Sequence, residues 1–224
     1  EYEEKILNKL RGQFAFVIYD KITNELFMAR DRIGIKPLYY SVNDNWILFG
    51  SEIKAIELSK LIEFEPDIDS YLAYLRHLCV PADSTGNKNI KKLEPGQFIR
   101  IDKNGKISKK IYWDPFTFSV NHDLNEKNVV EELDRLLNES VEYRKVSDVE
   151  VGLFLSGGID SSLLGKLMKK NSDSPLKAFN VDFEENFEGY KGELKEARFA
   201  SSEIGINLND CLLYTSDAAD DNVG

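Results

Sequence analysis

Apolar and polar positions in this 224-residue chain repeat with two different periods, and the change between them falls near residue 115. Before it the pattern is short. Phe14-Ala15-Phe16-Val17-Ile18-Tyr19 is rich in aromatic and β-branched residues, the turn cluster Asp20-Lys21-Ile22-Thr23-Asn24 follows, and Glu25 to Ala29 returns, which predicts a hairpin. Pro37 to Ser41 and Trp46 to Gly50 predict a second pair of strands around Asn43-Asp44-Asn45, and Gly96 to Ile101 with Lys106 to Trp113 a third around Asp102-Lys103-Asn104-Gly105. Short helices are expected over 51–58 and 71–78, the latter stopped by Pro81, and Ile6, Leu7 and Leu10 mark an amphipathic helix at the start.

Beyond Pro115 the period lengthens. Asn128 to Tyr143 places Val130, Leu133, Leu137 and Val141 on one face, with Glu131, Glu132, Asp134 and Arg135 largely opposite. An apolar run over 149–155 reads as a buried strand, and a helix follows from about Ser161 to Lys170. Leu176 to Phe183 is a further strand, and Glu193 to Ile204 a helix closed by Gly205. Strand, helix, strand, helix predicts a parallel sheet with crossover helices, whose ligands sit beyond the carboxyl ends of its strands.

The junction between the 149–155 strand and its helix carries the candidate chemistry. Ser156-Gly157-Gly158-Ile159-Asp160-Ser161-Ser162 is a glycine turn that opens a helix. Unpaired N–H groups in the first helical turn and the helix dipole favour an anion there. Gly157 and Gly158 let oxygens approach the backbone, and Ser156, Ser161 and Ser162 offer hydroxyls. The turn lacks the Gly-x-x-x-x-Gly-Lys-Ser/Thr lysine that grips a β/γ-phosphate. It has Asp160 instead, and a carboxylate beside phosphates is reasonable if Mg²⁺ lies between them. That combination suits release of pyrophosphate rather than γ-phosphoryl transfer. The plainer alternative is a capped helix after a buried strand.

These residues resemble the pyrophosphate loop of the ATP-pyrophosphatase (PP-loop) enzymes. With Ser147-Asp148-Val149 and Gly152 ahead of the loop, the resemblance narrows to the glutamine-hydrolysing asparagine synthetases. The first half is similar to the later part of that family's glutaminase domain at Gly12 to Phe16, at Ala29-Arg30-Asp31-Arg32-Ile33-Gly34-Ile35-Lys36-Pro37-Leu38-Tyr39-Tyr40 and at Gly50 to Ala55. Val80-Pro81 and Leu93-Glu94-Pro95-Gly96 resemble the segment between the halves.

The resemblance implies a mixed α/β and α+β fold. The C-terminal part of an Ntn-type glutaminase β-sandwich would occupy 1–114, without its N-terminus. The start of a parallel-sheet PP-loop (adenine nucleotide alpha-hydrolase-like) domain would occupy 115–210. It implies that Leu155, Ser156, Gly157, Gly158, Ile159, Asp160, Ser161 and Ser162 bind ATP phosphates, that Asp160 binds Mg²⁺, and that Val181 contacts adenine or ribose. By itself Val181 reads as an ordinary strand residue. The implied reaction is ATP-dependent amidation of aspartate through a β-aspartyl-adenylate, with ammonia from glutamine.

The family's nucleophilic N-terminal cysteine finds no match, so no catalytic residue is assigned. The chain is expected to be an inactive middle piece of a longer ligase. An amidotransferase acting on another acid or on a sugar in surface polysaccharide synthesis stays open, as does a non-catalytic module. The implied partners are small molecules (ATP, aspartate and glutamine), and a homodimer is compatible.

Composition changes this picture little. At 42% hydrophobic and 30% charged residues the chain is globular in type, and a net charge of −10 speaks against nucleic-acid or basic membrane contacts. No apolar run reaches membrane-spanning length, and the start does not resemble a signal peptide. Two cysteines make no disulfide framework, so a cytoplasmic location is expected. Cys79 reads as a packed thiol, and His77 and His122 as incidental. Arg30-Asp31-Arg32 with Lys36 is either a solvated hairpin end with weak ion pairs or a structural cluster. Residues 211–224 read as translated sequencing adapter, the alternative being a disordered acidic end.

Overall fold

A computed structural model describes residues 3–43, 45–81, 83–119, 125–170, 172, 175–183 and 192–213. Asp44, His122 and the stretch 214–224, on which parts of the sequence reading fall, lie outside the described residues. The chain divides into two compact units, Glu1–Val120 and Asn121–Gly224.

The first unit opens with a 3-10 turn at Glu3–Asn8 rather than the expected amphipathic α-helix, although Leu7 is fully buried as its pattern requires. Strands β1 (Ala15–Asp20) and β2 (Glu25–Arg30) form the predicted hairpin, in antiparallel register from Ala15 opposite Arg30 to Asp20 opposite Glu25. Strands β3 (Tyr39–Val42) and β4 (Ile47–Gly50) form the second hairpin. Helices α1 (Ile53–Glu57) and α2 (Ile68–His77) follow, the latter begun by Asp67 accepting from the Ser70 amide. A two-residue strand β5 (Lys91–Lys92), not foreseen, pairs with β3. Strands β6 (Gln97–Ile101) and β7 (Ile107–Ile111) complete the third hairpin.

The four-stranded sheet runs β1-β2-β6-β7 and the three-stranded one β4-β3-β5. Period-two alternation sorts β2 and β6 between two cores. Leu26, Met28, Ile99 and Ile101 meet Leu38, Tyr40 and Leu93, while Ala29 and Phe98 meet Leu7 and a row of aromatic rings.

Arg30 and Asp31 are not a solvated hairpin end. Asp31 is 2% exposed. One of its oxygens accepts from the amides of Ile33 (3.2 Å) and Ile35 (3.0 Å), the other from those of Lys36 (2.9 Å) and Phe14 (3.3 Å). The Arg30 guanidinium donates to the carbonyls of Lys36 (2.8 Å), Leu93 (2.6 Å) and Gly34. The two charges therefore bind the backbone of the 31–36 turn from inside, and Gly34, at φ +72°, makes the turn possible. Cys79 likewise departs from expectation. It is exposed rather than packed, because α2 ends on Leu78 in a left-handed conformation just before it.

The second unit begins with α3 (Glu126–Arg144), capped by Asn125. Strand β8 (Leu153–Phe154), helix α4 (Ile159–Lys170), strand β9 (Lys177–Phe183), helix α5 (Leu194–Ile204) and strand β10 (Asn207–Leu213) follow. The sheet is parallel, in the order β10-β9-β8. It thus has three described strands where the sequence foresaw two. Cys211 to Leu213, read above as adapter, continue β10 opposite Val181 to Phe183. Both crossovers advance in the same direction, which places α4 and α5 on one side of the sheet. There Leu153, Leu155, Ala178 and Leu208 pack with Leu137, Val141, Leu167, Met168 and Ala200.

The opposite side carries Phe154, Phe179, Val181, Phe183 and Leu213, all exposed. The expected buried strand over 149–155 is therefore corrected. Only two of its residues pair as a strand, Leu153 and Leu155 are buried, and Val149, Val151 and Phe154 are exposed, Phe154 at 76%. On α3, Val141 is buried as foreseen, while Val130 and Leu133 on the same face are exposed.

Asp31 generates a pH-dependent expectation. Burial pushes its carboxyl up, but the amides of Lys36, Ile35, Gly34 and Phe14 outweigh that and hold it below the usual carboxylate value. A depressed folded value means the stabilisation is complete above about pH 3.9, the unfolded carboxylate value, and is lost as pH falls through the folded one. Asp31→Asn is expected to lower stability at pH 7 by about 2 kcal/mol. Urea unfolding at pH 7 and pH 3 checks this, and the gap between variant and parent should narrow at pH 3. An unchanged gap would contradict the assignment.

Candidate functional site

The implied site residues fall where β8 gives way to α4. Leu155 is buried at 1% exposure, its backbone amide donates to the Phe179 carbonyl at 2.8 Å, and its carbonyl accepts from the Asn180 side-chain Nδ2 at 2.9 Å. Leu155 is thus the fixed stem of the turn. Gly157 takes φ +82°, closed to other residues without strain, and its α-carbon lies close against α5. A Cβ built there would stand 2.3 Å from the Glu196 carbonyl carbon and 2.7 Å from the Ala197 nitrogen. At Gly158 the nearest atom to such a Cβ is the Ser156 hydroxyl at 3.5 Å, so this second glycine borders open space.

Helix α4 starts at Ile159, two residues earlier than the sequence suggested, which places Asp160 in its first turn. The amides of Ile159, Asp160 and Ser161 take no partner among the described residues, while that of Ser162 reaches the Gly158 carbonyl. Three N–H groups are thus left at the positive end of a 12-residue helix, at the carboxyl end of a parallel strand. The Ser156 and Ser161 hydroxyls lie 3.0 Å apart, and that of Ser161 also contacts the Ser156 amide and the Gly158 carbonyl. These hydroxyls brace the turn. Ile159 and Asp160 are exposed.

Asp160 forms no ion pair among the described residues, and no group of three or more His, Cys, Asp or Glu side chains among them could enclose a metal. A cation at Asp160 would therefore take most of its oxygen ligands from a phosphate and from water, which fits the way Mg²⁺ is commonly held. No lysine from α4 caps the turn in a P-loop manner. Lys169 lies on the last turn and donates to the carbonyls of Ile204 (2.6 Å) and Gly205 (2.8 Å), where it closes α5.

Extending the β8–β9 register of Phe154 opposite Phe179 by two places sets Val181 level with Ser156. Val181 is half-exposed on the face away from the helices. The structure thus brings the turn and Val181 to one end of one sheet. Three contributors were missed: Asn180, Asp182 and the first turn of α5. Their signal lies in β9 itself, where the inward positions are Ala178, Asn180 and Asp182 and the outward ones are Phe179, Val181 and Phe183, the reverse of an ordinary half-buried strand.

An open parallel α/β unit with free amides at a helix N-terminus beyond its strands is the general architecture of nucleotide-binding domains. Comparison with known proteins specifies it. Residues 1–113 match the glutamine amidotransferase domain family, and residues 132–223 match the asparagine synthase family. The chain belongs to the glutamine amidotransferase domain family, whose model spans half of it.

It is 37% identical over 205 residues to asparagine synthetase [glutamine-hydrolyzing] 1 of Bacillus subtilis, covering 92% of this chain and 31% of that protein. It is 36% identical over 196 residues to putative asparagine synthetase [glutamine-hydrolyzing] 2 of Methanocaldococcus jannaschii, covering 82% of this chain and 38% of that protein. A protein named amidase chry2, from Gibberella zeae, is 31% identical over 93% of this chain and 32% of its own length. The chain thus spans about a third of the curated relatives it matches.

The two glycines of the turn should behave differently. Gly157→Ala is expected to destabilise the second unit by about 1–3 kcal/mol from the left-handed backbone alone, and further from the clash with α5. Gly158→Ala should leave stability nearly unchanged. Chemical unfolding of both variants checks this, and equal stabilities would contradict the packing of Gly157 on α5.

Proposed function

We propose that the full-length protein is an ATP-dependent ligase that amidates aspartate to asparagine with ammonia from glutamine. The single observation that supports this most is the turn Leu155 to Ser162, where the amides of Ile159, Asp160 and Ser161 have no partner among the described residues at the carboxyl end of a parallel sheet. In this reading residues 1–114 are part of the ammonia-producing domain and 115–210 part of the ATP-binding domain. The amides of the α4 first turn and the Ser156, Ser161 and Ser162 hydroxyls bind ATP phosphates. The backbone at Gly157 and Gly158 admits them, and Val181 lies against the adenine or ribose.

Asp160 holds Mg²⁺, which supplies positive charge to offset the charge gathering on departing pyrophosphate. Aspartate needs activation because a carboxylate oxygen is a poor leaving group. Its carboxylate attacks the α-phosphorus, pyrophosphate leaves, and ammonia then displaces AMP from the β-aspartyl-adenylate. The amides of α4 serve this by being fixed before the charge develops, so that little reorganisation is needed. No described helix is long and apolar enough to cross a membrane, and we place the enzyme in the cytoplasm.

A second reading, amidation of a different acid or of a sugar, is supported by the 31% identity to a protein whose name is not asparagine synthetase. Pyrophosphate release by the full-length protein, measured with aspartate and with alternative acceptors, separates the two. In the same assay Asp160→Ala should lower Mg²⁺-ATP-dependent pyrophosphate release by at least about 100-fold, on the scale of removing one preorganised charge-stabilising group. Glutamine hydrolysis should stay near the parent rate. Normal pyrophosphate release by this variant would sink the assignment of the loop.

A further inference from the structure

Strand β9 turns two polar side chains into the core at the end where the proposed nucleotide sits. Asn180 and Asp182 are each 5% exposed, on the face opposite Val181. Asn180 donates through Nδ2 to the Leu155 carbonyl at 2.9 Å. A carbonyl only accepts, so this bond fixes which way the amide is turned. Its Oδ1 has no donor among the described residues. A buried, half-satisfied amide weakens a fold, and an apolar residue of similar size would avoid that penalty, so the bond Asn180 makes is the reason to look for a role.

Asp182 accepts from its neighbour Phe183 at 2.8 Å and from the Leu194 amide at 3.0 Å. Leu194 is the first residue of α5, and the residue before it, Glu193, gives that helix no side-chain cap. The Asp182 carboxylate therefore serves as a cap from 12 residues away, where a negative charge also meets the helix dipole favourably. Gly192 leaves the space, for a Cβ there would lie 2.5 Å from Asp182 Oδ2.

The two anchors converge on one loop. Leu155 is its stem, and α5 is the helix whose first turn meets Gly157 backbone to backbone. We propose that Asn180 and Asp182 are positioning residues for nucleotide binding. Asn180 fixes the strand that enters the loop, Asp182 fixes the helix behind it, and neither touches the nucleotide. This inference rests on the reading of the 155–162 turn as the ATP site.

The test uses the full-length protein and ATP-dependent pyrophosphate release. Asn180→Leu and Asp182→Leu should each raise the KM for ATP by about tenfold, the effect of losing one net hydrogen bond's worth of preorganisation. The KM for glutamine in the glutaminase assay should not move. Asp182→Asn keeps an acceptor oxygen for Leu194 and should restore the KM for ATP to within about twofold of the parent, a rescue that general loss of stability would not give. If Asn180→Leu does not fold, Asn180→Ser, which cannot reach the Leu155 carbonyl and adds no bulk, must show the same rise. A parent protein that releases no pyrophosphate overturns the reading of the loop. An active parent whose variants keep its KM for ATP, or an Asp182→Asn variant no better than Asp182→Leu, overturns the positioning role alone.

Discussion

The close approach of Gly157 to the backbone of Glu196 and Ala197 is the constraint on which the second unit's site depends. Only a residue without Cβ fits between the turn and α5, and only such a residue takes φ +82° there without strain. With the gap closed, the turn after Leu155 lies against the first turn of α5. Helix α4 then begins at Ile159 with three amides free. A bulkier turn would separate α5 from α4 and open the core that Leu155, Leu167, Ala178 and Ala200 share. Packing and ligand binding thus draw on the same close contact.

The first unit obeys a comparable rule with charge in place of bare backbone. Asp31 and Arg30 bind the amides and carbonyls of the 31–36 turn, so two ionised groups stay buried because each has hydrogen bonds to exchange for water. The Tyr112 hydroxyl adds to this by donating to the Arg30 carbonyl at 2.8 Å, and its burial there pushes its pKa up to about 12. In both units irregular backbone beside a strand end is held by a small number of inward polar groups.

How much of this was legible follows from what each residue needs to be understood. Hairpins such as β1–β2 were readable because alternation and turn residues are local properties. The Ser-Gly-Gly turn was readable because glycines, serines and an aspartate at a helix start have few other uses. The length of β8 was misread because Val149 and Val151 look like core until the sheet is seen to carry helices on one face only among the described residues. For Arg30 and Asp31 the sequence leaves a solvated end and a structural cluster both open, because their partners are backbone atoms, which have no sequence signature. Asn180 and Asp182 were passed over for the same reason. Their partners, the Leu155 carbonyl and the Leu194 amide, are 25 and 12 residues away.

The central claim is that the turn between β8 and α4 receives the phosphates of ATP on its free amides. Hydrogen exchange of individual amides in the full-length protein, with and without Mg²⁺-ATP, tests it most directly. The account predicts slowed exchange at Ile159, Asp160 and Ser161, which have no partner among the described residues, and little change at Leu155, already bonded to Phe179. Exchange at those three amides that stays the same while saturating Mg²⁺-ATP protects a different segment would contradict it.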